Sequence, residues 1–193
     1  MTSMSSGRGV CALGAAAVLV LGGCSGGVDD VAAGPAAQTV GWAKAATPDA
    51  YVVVPGDQRP VGWDWVAQDA AGSAATVQLA VDGELGYFQN AGLAMGVLQV
   101  GPQIGTLPSW TQVGAEQETT VAGADEARTL RFTYRPEQGR TYNGAWVVAC
   151  RKVTQQCIAA QVTSAGALDD ATVTAMFAKV LLAPADETQD AQA

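Results

Sequence analysis

The chain has 193 residues, enough for one domain with a single core once a leader and a linker are set aside. Its formal charge is −8, so it has no general pull on nucleic acid. It contains no histidine, which removes the commonest general base, the commonest metal ligand and the usual Ser-His and Cys-His catalytic pairs.

The first nine residues are polar with one basic residue, Arg8, and an apolar run follows over residues 10–21. This is the charged-then-apolar order of a secretory signal. The run has 12 residues, whereas a membrane-spanning helix needs about 20. It ends in Leu21-Gly22-Gly23-Cys24, which resembles the bacterial lipobox. Small residues there let a peptidase approach the backbone, and the Cys24 thiol is the nucleophile that takes a diacylglyceryl group. Two acyl chains suffice for stable anchoring where one does not. The reading is a signal peptide over residues 1–23 and a mature chain held by lipid on Cys24 at the outer face of a membrane.

Residues 24–48 are rich in Ala, Gly and small polar residues and show no sustained periodicity, so they read as a lipidated N-terminus and flexible tether. Trp42 is its exception, a residue placed to dock on the domain. From residue 49 short β-type runs begin. Residues 51–54 end at Pro55-Gly56, residues 61–66 carry Trp63 and Trp65 on one side of one strand, and residues 75–81 alternate. Over 83–108 the pattern is open, because residues 93–100 fit either a strand or a short helix.

Residues 127–134 alternate cleanly, with Leu130, Phe132 and Tyr134 on one face and Thr129, Arg131, Thr133 and Arg135 on the other. Residues 145–150 and 157–162 are two apolar strands joined by a polar loop over 151–156, a hairpin. Val173, Met176, Phe177 and Val180 then fall at helical spacing over 171–182, with Asp169 or Asp170 as N-cap and Pro184 as the stop. Residues 185–193 form an acidic disordered tail. The sum is an α+β domain over 49–184, a mainly antiparallel sheet covered on one face by helix.

These features in this order resemble a known family. An early strand ending near Pro55 and Gly62-Trp63, the run Gly123-Ala124-Asp125-Glu126-Ala127 leading into the strand Leu130-Arg131-Phe132-Thr133-Tyr134, then Gly144-Ala145-Trp146-Val147-Val148 and a closing Leu168-Asp169-Asp170-Ala171 helix are similar to the LpqN-type lipoproteins of actinobacteria. The resemblance covers residues 50–184. It implies a PsbP-like fold, a sandwich of antiparallel sheet and helices, and a non-catalytic accessory role in the cell envelope; residues 83–108 depart from the family, which shows a clear helix there. It supplies no catalytic residues and no cofactor.

Cys150 and Cys157, with six residues between them, are the mature domain's remaining cysteines, and in an exported protein their simplest state is a disulfide across the hairpin. Two thiols without histidine make no zinc site. Asp82, Glu84, Asp125, Glu126, Asp169 and Asp170 lack the regular oxygen spacing of a calcium loop and read as turn and cap residues. Trp63, Trp65, Trp110 and Trp146 suit a core better than a ligand cleft. None of the four serines of the mature region, Ser25, Ser73, Ser109 and Ser164, sits in a nucleophile motif.

Charge placement is the least ordinary feature. Residues 128–152 hold Arg128, Arg131, Arg135, Arg140, Arg151 and Lys152 against Glu137 alone, in a chain that is otherwise strongly acidic. Arg128, Arg131, Arg135, Arg151 and Lys152 are therefore the candidate surface for an anionic polymer or a partner protein of the envelope, with pairing to nearby acids as the plainer outcome. The expected activity is that of a binding or accessory module. A carrier enclosing an apolar cavity for lipid and an uncharacterised hydrolase are the alternatives.

Overall fold

The computed structural model describes residues 37–69, 77–103, 107–136 and 139–184. The leader, Cys24 and the first part of the linker lie outside the described residues, as does the acidic tail. None of the helices in the described part is long and apolar enough to cross a membrane.

Among the described residues ten strands form two antiparallel sheets. The larger has seven strands: β3 (Tyr51–Val53), β4 (Trp65–Asp69), β5 (Val77–Tyr87), β9 (Gln156–Ser164), β8 (Tyr142–Cys150), β7 (Glu126–Tyr134) and β6 (Thr111–Thr119), in that spatial order. The smaller is β1 (Ala37–Val40), β2 (Ala43–Ala46) and β10 (Val180–Leu182). Helix α1 (Ala91–Gln103) follows β5 and helix α2 (Asp170–Phe177) follows β9.

The large sheet is covered on both faces, which corrects the one-sided layer expected from sequence. Strands β8 and β9 are apolar at nearly every position, and a strand of that kind is buried front and back. On one face Trp65, Leu79, Val81, Val147, Ile158 and Val162 pack against Trp42, Val180 and Leu182 of the small sheet and against Met176 and Phe177 of α2. On the other, Leu130, Phe132, Trp146 and Val148 pack against Ala91, Ala94 and Met95 of α1. The fold is α+β, an antiparallel sheet sandwiched between helix α1 on one face and the small sheet with helix α2 on the other.

The tether reading of residues 24–48 fails in its second half. β1 and β2 form a hairpin whose Trp42 is buried, and β2 also pairs with β10. That pairing shortens the predicted 171–182 helix: it ends at Phe177, because the backbone of Val180–Leu182 bonds to β2 instead of to its own preceding turn. Trp63 and Trp65 do not share a strand, since β4 begins at Trp65 and residues 61–62 form a turn. Trp65 is core on the small-sheet face, whereas Trp63 packs against the α1 side. Helix α1 resolves the open stretch, and Asn90 holds its first turn by accepting a hydrogen bond from Leu93 N–H at 2.9 Å.

Cys150 and Cys157 face each other across the β8–β9 ladder with Cα atoms 4.2 Å apart and form a disulfide. Both are buried beside α1. Closing so short a loop is worth about 2–3 kcal/mol in the chain-entropy account. Urea unfolding with and without reductant should give unfolding free energies that differ by that amount, with the lower midpoint for the reduced protein; identical midpoints would mean that the bridge constrains nothing.

Candidate binding cleft between β6 and α2

The site begins with a mismatch between two neighbouring strands. Val113 pairs with Arg131 and Gln117 with Thr129, so β6 uses four steps where β7 uses two. The surplus residues bulge out from the sheet, with Gly114 at φ 76° supplying a conformation that side-chain-bearing residues resist. The bulged edge leaves the α2 face of β7 uncovered at Thr129 and Arg131.

Helix α2 forms the facing wall. Its start is fixed by Asp169, whose carboxylate accepts from Thr172 N–H at 2.7 Å. The hydrogen bonding from Thr172, helped by the nearby Arg131, holds the Asp169 carboxyl below its ordinary value of 3.8. Arg131 ties the helix to the sheet. One of its terminal nitrogens donates to the Leu168 carbonyl at 3.3 Å and the other pairs with the Asp170 carboxylate.

Between these walls lies an open cleft of about 510 Å³. Val173, Phe177 and Ala178 give its α2 side an apolar patch beside Asp170 and Thr174; Val113, Gln117, Glu118, Thr119 and Thr120 are among the residues of its β6 side, and Thr129 and Arg131 form the floor. The Thr129 hydroxyl already donates to Trp146 O at 2.8 Å, leaving it an acceptor toward the cleft. A smaller recess of about 240 Å³ shares Val113, Arg131 and Asp170 and reaches Asn143 and Gly144. The Arg131–Asp170 pair therefore stands between two adjoining spaces.

The five basic candidates are not gathered into one surface. Arg128 points to the α1 face, by the parity of the strand, and is surrounded by Glu116, Glu118 and Glu126 at 3.4, 3.6 and 3.5 Å. Arg131 points to the opposite, α2 face. Arg135 donates to the Thr141 hydroxyl at 3.0 and 3.2 Å. Arg151 bonds to the Gln156 side chain at 3.0 Å and to the Ala183 carbonyl, and Lys152 lies beside Asp125, to which its backbone N–H donates at 2.8 Å. Arg151 and Lys152 follow Cys150, which pairs with Glu126, whereas Arg135 follows Tyr134 at the other end of β7. At about 3.4 Å per residue those ends are roughly 30 Å apart. Alternation put Arg131 on the face opposite Leu130 and Phe132, where it lies, but the second core covers part of what sequence suggested was the solvent side.

No family model matches the chain, and no curated relative matches it in sequence. Two solved structures are similar to it in fold. One is LpqN of Mycobacterium tuberculosis, described as involved in cell envelope biogenesis: 18% identity over 74% of this chain and 83% of that one, TM-score 0.45. The other is cyanobacterial PsbP (CyanoP) from Synechocystis sp. PCC 6803, at 14% identity over 84% of this chain and 98% of that one, TM-score 0.49. At such identities neither neighbour speaks to a ligand.

The remaining candidates have structural occupations. Asp64 accepts from Gly83 N–H and Asp82 from Glu84 N–H, each at 3.0 Å, and burial raises the Asp82 carboxyl above 3.8 against the lowering effect of that bond. Among the described residues no group of three or more acidic or sulfur side chains is arranged to hold a metal ion. Trp146 and Trp110 stack at 5.9 Å on the α1 side, where the Trp146 indole N–H donates to Gln161 at 2.7 Å. Sequence reasoning named Arg131 and Asp170 separately. It missed Thr174 and Phe177 on α2 and all of β6, whose residues give no alternation to find.

Proposed function

We propose that the chain is a non-catalytic binding module held on the outer face of a cell membrane, and that the cleft between β6 and α2 is where it engages an envelope component. The anchor is supported by the apolar run ending in Leu21-Gly22-Gly23-Cys24. Because β1 begins at Ala37, only twelve residues separate Cys24 from the first strand, a reach of at most about 45 Å, so the domain works close to the membrane.

The observation that carries the binding role is the cleft itself: about 510 Å³, floored by an arginine already oriented by two bonds, with polar and apolar side chains on both walls. A pre-oriented charge in a mixed groove suits a polar or amphipathic segment, whereas an acyl-chain carrier needs a largely apolar lining.

One experiment tests both parts. Tagged wild type, Cys24→Ala and Thr174→Trp are expressed in the source cell, and their membranes are fractionated and solubilised. Wild type should carry acyl mass on a chain beginning at Cys24 and retain one set of envelope components. Cys24→Ala should leave the membrane fraction. Thr174 is exposed on α2 and lines the cleft, so tryptophan there should fill the groove without unfolding the domain and remove those components. Absence of acyl mass from wild type would end the anchor reading; full retention of every component by Thr174→Trp would end the cleft reading.

A further inference from the structure

β6 ends the seven-stranded sheet, and among the described residues no strand lies beyond it. The two edges of this sheet are unlike. β3 has three residues and runs into Pro55 two positions later, the short and proline-stopped form in which proteins blunt an edge. β6 has nine residues, no lysine and no proline, and all but one of them are exposed. Its bulge leaves two ladder segments, Thr111–Val113 and Gln117–Thr119, each with a side of its backbone turned away from β7. Such an edge, lying beside a groove, is the arrangement into which extended peptides add as a strand.

The two faces beside that edge differ in chemistry, and alternate residues of an added strand would meet them in turn. Toward α2 lies the cleft with its Val173 and Phe177 wall. Toward α1, Glu116, Glu118 and Glu126 surround Arg128 alone, an excess of two negative charges, and the Glu118 side chain is 83% exposed. A basic residue directly across from Glu118 would meet unmatched charge, which favours the pair.

We propose that β6 accepts an extended polypeptide segment of a partner protein as an eighth strand, with alternate side chains apolar toward the cleft and basic toward Glu118. This rests on the reading of the cleft as the binding site. Backbone bonds to the β6 edge would supply much of the affinity, and the apolar-basic alternation would supply the selectivity.

The probe is a nine-residue linear peptide selected from a random display library on the full mature chain, kept soluble by Cys24→Ala. It is then synthesised unmodified and in two forms, each N-methylated at one of the two alternate sets of residues. Selected sequences should alternate apolar with Lys or Arg. One N-methylated form should bind at least tenfold more weakly and the other nearly as well as the parent, because only one set of N–H groups faces β6. Glu118→Lys should weaken the parent peptide about fivefold at low salt, with the effect shrinking as salt rises. Binding lost in Thr174→Trp but insensitive to N-methylation would keep the cleft and overturn the added strand. Binding insensitive to both would overturn both. Failure to select any peptide would overturn the added strand and leave the co-purification result to judge the cleft. A dimer in sedimentation that the peptide dissociates would assign the edge to a second copy of the chain and overturn the partner segment.

Discussion

Phe132→Ala should destabilise the domain by about 3–5 kcal/mol, the range of fully buried aromatic truncations. Phe132 is 1% exposed and stands at the centre of the aromatic group beneath α1. Its ring lies 4.3 Å from that of Trp146, 6.2 Å from Tyr134 and 6.4 Å from Trp110, all in tilted arrangements. The position opposite it on β8 is Gly144, and a Cβ there would lie 2.2 Å from the ring. The ring thus fills the space that a side chain on the neighbouring strand would otherwise take, and no adjacent residue can swing in to replace it. Chemical denaturation gives the free energy directly, and the melting temperature should fall by roughly 10 °C for a domain of this size. A loss below about 1 kcal/mol would mean that the cluster is loosely packed. The contrast with Thr174→Trp is diagnostic, since that exposed change should leave stability near wild type while removing partners.

What was legible in the sequence was what alternation or turn chemistry marks. The strand holding Leu130, Phe132 and Tyr134 has a period of two because its faces differ, and the β8–β9 hairpin shows as two apolar runs about a polar loop. The second layer was legible in principle: β8 is buried at seven consecutive positions from Gly144 to Cys150, which one-sided burial does not produce. The β1–β2 hairpin was not, because its strands are four residues each, alanine-rich, and stabilised from outside themselves by β10 and by the burial of Trp42. Val180 fits helical spacing from Val173 and Met176 and also a strand on β2; only the long-range partner decides between them. The cleft was hidden for a related reason. An edge strand exposed on both faces, as β6 is, carries no periodic signal, and the meeting of Arg131 with Asp170 depends on how the segment after β9 returns across the sheet.

The crossing of the two sheets makes the second large prediction: Gly83→Ala should cost about 3 kcal/mol, at the upper end of overpacking effects. Gly83 lies in the irregular part of β5, directly against the turn between β1 and β2. A Cβ on it would sit 1.8 Å from the Val40 carbonyl oxygen and 2.5 Å from its carbon, and both are backbone atoms that no rotamer change can move. Its own backbone is committed on either side, with Trp42 N–H donating to Gly83 O at 2.9 Å and Gly83 N–H donating to Asp64 at 3.0 Å. The turn offers no relief, because it passes through Gly41 at φ 55°, whose own added Cβ would lie 2.9 Å from the Gly83 carbonyl. The hairpin must therefore lift, exposing Trp42 and the small-sheet core that it covers. Tryptophan fluorescence during urea unfolding should show a reduced midpoint, and hydrogen exchange should rise first in residues 37–46. Gly96→Ala is the control: that glycine is exposed on α1 with nothing within 4 Å, so alanine should stabilise by up to about 1 kcal/mol through helix propensity. A Gly83→Ala protein as stable as wild type, with protection of residues 37–46 intact, would show that the hairpin does not sit where this close approach places it.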